Sequence, residues 1–236
     1  NVGYIHSVQH SVPNQSTAAN SANLMYFTSS IAPIYPAYVR VVDANGNVVI
    51  KQDDRGHNAY DFGIPSNDYG LNRPFMSTAN PLAANQYDVL ENGGDQLNAT
   101  FTADVNITSF LKANVTSTVN WGQTNYSNYS NPFYGSKVGV NGEINKQSTS
   151  ALRTNNVQTL TYFQDFDRHS VNVMVGHEYY KTTTKFLGAI AQGGFSPSIP
   201  EIDAFAKISD ASSYKSGYNV EGYFGSAQYN YDQKYF

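Results

Sequence analysis

The sequence contains no cysteine, which removes thiol nucleophiles, disulfide staples and cysteine-bearing metal sites at once. Charge is scarce as well. Asp, Glu, Lys and Arg make up 14% of the 236 residues, against about 25% in an average soluble domain. The 14 basic and 18 acidic side chains leave a net charge of −4 with no basic stripe, so a phosphate backbone finds nothing to grip and nucleic acid is not an expected partner. No apolar run approaches the roughly eighteen residues of a transmembrane helix. Catalytic signatures are missing too: there is no G-x-S-x-G elbow, Walker loop or dinucleotide fingerprint. His177-Glu178 opens like a zinc-protease helix, but HEYYK has no second histidine one turn on and sits in alternating sequence. The chain is expected to be no enzyme and to carry no cofactor and no metal.

What fills the space is uncharged polar sequence and aromatics. Hydrophobic residues account for only 40%, yet there are 19 Tyr and 13 Phe beside the single Trp, a profile suited to strands with amphipathic rings at their ends. The clearest stretch is Leu97 to Trp121, LNATFTADVNITSFLKANVTSTVNW. Leu97, Ala99, Phe101, Ala103, Val105 and Ile107 alternate with Asn98, Thr100, Thr102, Asp104 and Asn106. After Thr108, Ser109 and Phe110 the alternation resumes, with Leu111, Ala113, Val115, Val119 and Trp121 against Lys112, Asn114, Thr116, Thr118 and Asn120. So short a connection permits only an antiparallel hairpin of two-faced strands. Each run is about eleven residues, against about five or six for a globular strand and about nine to eleven for a strand that crosses a bilayer.

The same pattern recurs along the chain. Val2 to Val12 reads as a strand with Tyr4, His6, Val8 and His10 on one face, ended by Pro13. Val39 to Val42 and Val48 to Ile50 flank DANGN, whose Asn45-Gly46 suits a tight hairpin turn. Val157 to Phe166 and Ser170 to Tyr180 form a second long hairpin around Asp167-Arg168-His169, and Tyr218 to Tyr231 makes a last strand before a turn at Asp232-Gln233-Lys234. Between them, residues of about 13–86, 122–156 and 181–216 have the Pro, Gly, Asn and Ser content of long loops, the third with a short helix near Lys185 to Gln192. Short turns therefore fall on one side and long loops on the other. That is the plan of an outer-membrane barrel, with periplasmic turns and extracellular loops. The expected fold is all-β: an antiparallel up-and-down meander of six or seven long strands, a partial transmembrane β-barrel. A soluble or surface-exposed β-sandwich whose loops bind glycans is the alternative, with apolar faces packed on each other.

Four stretches, VNITSFLKANVTSTVNW, VNVMVGHEYY, GYFGSAQYNYDQKYF and IAPIYPAYVRVVDANGN, resemble those of a known family, the SusC-like (RagA-like) TonB-dependent outer-membrane transporters of Bacteroidota. VNITSFLKANVTSTVNW is similar to that family's strand, "ITDWL"-type turn and returning strand; VNVMVGHEYY resembles its "G-x-E-Y" strand. GYFGSAQYNYDQKYF looks like its "YFGR-x-NYDY-x-x-KY" hairpin and IAPIYPAYVRVVDANGN like its "P-x-YP-x-Y…DG" loop, all in the family's order. The resemblance implies a many-stranded barrel around a plug, a SusD-like surface lipoprotein as lid, outer-membrane lipid around the wall, and import of glycans or peptides powered through TonB. The chain departs from the full pattern in showing no plug domain, no TonB-contacting box, no signal peptide and no initiating Met, so residues 1–236 read as a single segment of such a barrel. Phe236 at the last position resembles the terminal aromatic of outer-membrane proteins, though the segment's end accounts for it as simply.

Candidate ligand contacts lie in the long loops. Tyr126, Tyr129, Phe133 and Tyr134 sit beside Asn and Ser side chains, a combination that stacks on sugars or peptide groups and supplies hydrogen bonds, with loop packing as the structural alternative. Asp53, Asp54 and His57 offer oxygen and imidazole to a cation, but their spacing is not that of a calcium loop and a solvated turn explains them. Trp121, Tyr179, Tyr180 and Tyr223 near strand ends are expected as membrane-interface girdle residues.

Overall fold

The computed structural model describes residues 1–11, 23–53, 56–63, 73, 75, 80–133, 137–196 and 198–232. Six long or medium strands form one sheet in the order β1-β4-β5-β6-β7-β8, every neighbouring pair antiparallel. They are β1 (Val2–Ser11), β4 (Val89–Asn106), β5 (Leu111–Ser130), β6 (Glu143–Phe166), β7 (His169–Gly194) and β8 (Phe205–Tyr231). A second sheet is the small hairpin of β2 (Arg40–Val42) and β3 (Val48–Ile50). It closes as its sequence indicated: Gly46 takes a φ of 85°, and Asp43 Oδ1 accepts from the Asn45 and Asn47 amides at 2.9 and 2.8 Å. Two seven-residue helices, α1 (Leu24–Ser30) and α2 (Pro81–Tyr87), begin on asparagine caps at Asn23 and Asn80. Pro81 holds the first helical position, where no amide donor is needed. Neither helix is visible in the loop composition around it.

Alternation decides the long strands and the hairpin turns fix their register. Leu97 faces Trp121, Phe101 faces Ser117 and Val105 faces Ala113, so the apolar sets of β4 and β5 share one side. The set continues across the sheet through Leu160 and Tyr162, then Val173 and Val175, then Ala227. We call this side the outer face. The turn at 107–110 is held by the Ile107 amide donating to the Leu111 carbonyl at 2.9 Å. The next turn is only Asp167-Arg168, with Asp167 at a φ of 51°, the left-handed conformation a two-residue hairpin demands. On the β5–β6 register this second turn lies about three residues below the first. At the opposite end the connections are residues 12–88, 131–142 and 195–204. The expected asymmetry of short turns and longer loops is therefore present.

The strands are longer than the sequence pattern indicated. Residues 122–130, 143–156, 181–194 and 205–216, expected within loops, belong to β5, β6, β7 and β8, and Lys185 to Gln192 is strand, not helix. These stretches lose apolar alternation yet keep their ladder partners, with one irregularity at Ile190/Ala191. The backbone hydrogen bonds carry the ladder past the point where the side chains stop sorting.

No second sheet covers the six strands among the described residues, so these form no sandwich. Among the described residues, buried apolar side chains occur only in the connections and at the loop end of the sheet: Phe27, Tyr60, Ala83, Tyr129, Ile144, Ala191 and Phe205. The outer face near the turns is bare. Phe101 is 65% exposed, Val175 54% and Tyr223 79%, and leaving a side chain of this kind in water forgoes about 1.5–3 kcal/mol. A face like this matches the expectation of a lipid-facing wall. Replacing Phe101 or Val115 by Arg should cost about 2–4 kcal/mol in a bilayer and prevent insertion, whereas Thr116→Arg on the opposite face should insert. Heat-modifiable migration of the outer-membrane fraction reads the difference, and equal insertion of all three would remove the lipid-facing assignment.

Candidate functional site

Three zones follow one another along the strands. The first is the apolar band, which begins just above the turns and ends at Leu97 on β4 and Trp121 on β5. Behind it, the inner face is polar and internally bonded. Lys112 Nζ lies 3.0 Å from Asp104 Oδ1, Asn114 donates to the same oxygen at 3.2 Å, and Thr100 and Thr102 meet Thr118 and Thr116 at 3.4 Å. Further along, Asn155 donates to Glu178 at 2.8 Å. Such a surface suits a wet lumen and no lipid.

The second zone is a belt of aromatic and ionisable side chains on the outer face, eight to eleven residues above the turns. Near β1, the Tyr4 hydroxyl donates to Asp95 Oδ1 at 2.5 Å and His6 Nδ1 lies 2.7 Å from the same atom. Near β8, His177 bridges Gln158 at 2.7 Å and Glu221 at 2.9 Å, the Tyr223 hydroxyl donates to Glu221 at 3.0 Å, and the Tyr223 and His177 rings lie 4.8 Å apart. Trp121 and Tyr179 take the same outer face at this level. Tyr180, next along, faces inward and lies against Tyr218 with ring centroids 6.0 Å apart. Rings with one apolar and one wet end belong at the boundary between hydrocarbon and water.

The third zone is the rim at the loop end. Tyr129 (4% exposed), Ile144 (0%), Ala191 and Phe205 form a small core across four strands, with Ile202 and Ala204 packed on it. The Tyr129 and Phe205 rings meet edge-on at 6.3 Å. Burial, aided by the nearby Asp88 charge, pushes the Tyr129 hydroxyl above its ordinary pKa. Beside it, Asp88 Oδ1 accepts from the Asn131 amide at 2.8 Å and from its side chain at 2.5 Å, tying β4 to the end of β5. Asn141, at a φ of 54°, donates to the Gly194 carbonyl at 3.0 Å. Glu143 is gripped by Lys137 at 2.6 Å and Gln192 at 2.7 Å. Burial works against its charge, but these two partners outweigh that and hold the carboxyl below the ordinary 4.5.

Of the four loop aromatics singled out above, the three described do not form one cluster. Tyr126 and Tyr129 both lie on β5, where an odd spacing sends them to opposite faces. Tyr129 belongs to the rim core, while Tyr126 is half-buried on the inner face opposite Gln147 and Asn92. Phe133 packs edge-on against Tyr87 at 6.0 Å, and Tyr134 lies outside the described residues. Asp53 Oδ1 accepts from the His57 amide at 2.9 Å within a tight turn; Asp54 is outside the described residues, and among those described no cluster of three or more metal-ligating side chains occurs. Gln233, Lys234 and Phe236 likewise lie outside them. What the sequence pattern did not single out is the inner-face aromatic column of β7 and β8, where Phe186 stacks on Tyr214 at 5.2 Å above the Tyr180 and Tyr218 pair. Its signal was present in the alternation of Tyr214 and Tyr218, masked by reading 181–216 as loop.

No protein-family model matches the sequence, and neither does any curated protein sequence. The fold does have counterparts among solved structures. A chain of the RagAB peptide transporter matches with a TM-score of 0.59 at 21% identity, covering 77% of this chain and 20% of that one. The RagAB peptide importer matches in its closed-closed state (TM-score 0.60, 19% identity, 75% and 19% covered) and in its open-open state (0.58, 19%, 75% and 20%). The chain thus spans about one fifth of the length of these proteins. The likeness read in the sequence to the RagA-like proteins is matched by a likeness of fold, that of a barrel portion.

The rim makes two outcomes checkable. Tyr129→Ala should cost about 3 kcal/mol locally and open the 195–204 connection to limited proteolysis, while Tyr126→Ala should leave cleavage unchanged. The stability contributed by Glu143 is complete above pH 4.5 and is lost as pH falls through its lower folded-state value. Amide exchange over 137–143, corrected for intrinsic rates, should hold steady from pH 7 to about 5 and accelerate in more acidic buffer.

Proposed function

We propose that this chain is a portion of the wall of a SusC-like, TonB-dependent outer-membrane transporter, with an apolar face toward lipid, a polar face toward the lumen and no catalytic step of its own. The observation that carries the reading is the two-faced six-stranded meander, bare and apolar on one side and polar on the other, in a fold shared with RagAB structures. No described helix is long and apolar enough to cross a membrane, which leaves crossing by strands untouched. The solved counterparts are named as a peptide transporter and importer, which supports peptides, with glycans as the other substrate class of this type. The same likeness supports a SusD-like surface lipoprotein seated over the rim, where the 131–142 and 195–204 connections lie. Energy would reach the barrel through TonB acting on a plug outside this segment.

Antibody raised to this segment should detect, in fractionated source cells, an outer-membrane band several-fold heavier than 26.0 kDa. Pull-down from that fraction should recover a lipoprotein, and deletion of the gene should abolish growth on oligopeptides or on one glycan. A band of 26.0 kDa in a soluble fraction would overturn the proposal.

A further inference from the structure

Above the aromatic belt the outer face does not become uniformly neutral. Lys185 on β7 stands directly opposite Lys215 on β8, an arrangement that places the two Cβ atoms about 5 Å apart and is destabilising for like charges left alone. Lys181 lies on the same face four residues nearer the belt, about 13 Å along the strand. All three are exposed, and among the described residues no ion pair engages them. Acids on this face are committed elsewhere: Glu221 to His177 and Tyr223, Glu201 to Lys146 at 2.5 Å. The lysines line a cavity of about 510 Å³ whose other walls include Trp121, Leu152 and Thr183. Positive charge with no ion-pair partner among the described residues thus stands over a mixed floor in which Trp121 and Leu152 lie among Ser150, Thr154 and Thr183, just beyond the point where the apolar band ends.

We propose that Lys181, Lys185 and Lys215 bind the phosphate-bearing headgroup of an outer-leaflet lipid, whose acyl chain lies along Leu152 and Trp121. The inference rests on the outer face meeting lipid, as proposed above. Height favours a lipid over a free anion. A tilted strand gains about 2.5 Å per residue across the membrane, so Lys181 and Lys185, some way up β7 from its start at His169, stand roughly 30 and 40 Å above the turn, past about 25 Å of hydrocarbon and at the headgroup layer. Lysine amines there gain from an anionic lipid surface what they lack from the protein.

The test uses the whole protein that contains this segment, purified from the outer membrane in neutral detergent and titrated with dioctanoyl phosphatidic acid, dioctanoyl phosphatidylcholine and inorganic phosphate, with bound lipid read by native mass spectrometry. Phosphatidic acid should bind at least tenfold more tightly to the native protein than to a Lys181→Gln, Lys185→Gln, Lys215→Gln variant. Phosphatidylcholine should not discriminate between them, and inorganic phosphate at equal concentration should not displace the lipid. Lys112→Gln, on the inner face, should bind as the native protein does. Equal binding to the native protein and the triple variant would overturn the site, and displacement by inorganic phosphate would make it a free-anion site and overturn the lipid assignment. Heat-modifiable migration confirms that the triple variant is folded. Failure of the outer-face reading is distinguishable, because Val115→Arg would then insert normally. If only the lysine site is wrong, Val115→Arg fails to insert while the triple variant binds phosphatidic acid unchanged.

Discussion

Everything in this chain depends on the backbone hydrogen-bond ladder. Hydrocarbon offers no partner to an N–H or C=O, so a strand that enters it must have both edges occupied. From β4 to β8 the pairing is continuous, and its one irregularity, at Ile190/Ala191, lies at the rim where water can reach. The side chains are arranged around that ladder. Small residues sit where backbones or rings come close: a Cβ on Gly217 would lie 2.5 Å from the Thr182 carbonyl oxygen, and Phe224 occupies the space over Gly176. Among the described residues β1 and β8 each have a single neighbour in the sheet. Six strands are fewer than the roughly eight of the smallest membrane barrels, so the proposed wall needs other strands against these two edges.

Function is divided by height along the strands, not by domains. In the proposed wall the lowest third sorts lipid from lumen and the belt marks the boundary with tyrosine, histidine and tryptophan, while the rim fastens the connections through Asp88, Asn131, Glu143 and the Tyr129 core. Each zone uses a different interaction because each meets a different solvent. In the band the gain is transfer of apolar surface; at the rim, wet on both sides, hydrogen bonds and a few buried rings must hold the strand ends together.

The same gradient explains what could be read in advance. Leu97 to Trp121 was legible because one face is apolar and the other polar, which stamps a two-residue period on the sequence. Above Trp121 both faces carry mainly polar side chains, the period fades, and Thr149 or Ser213 says nothing about strand or loop. Lys185 to Gln192 suggested a helix because Phe186, Leu187, Ala189 and Ile190 are spaced like a helical face; pairing with β6 and β8 overrides that local preference. The division of Tyr126 from Tyr129 follows from parity alone, and became readable only once β5 was known to run to Ser130.

The offset between the two hairpin turns carries a geometric consequence. Turns that share one membrane surface lie in a plane, yet on the β5–β6 ladder the second sits about three residues lower than the first. Three residues at about 3.3 Å set against two strand spacings of about 4.8 Å incline the strands by roughly 45°, at the upper end of the range by which sheets close into barrels. The shear of a cylinder is already written into the position of two short turns.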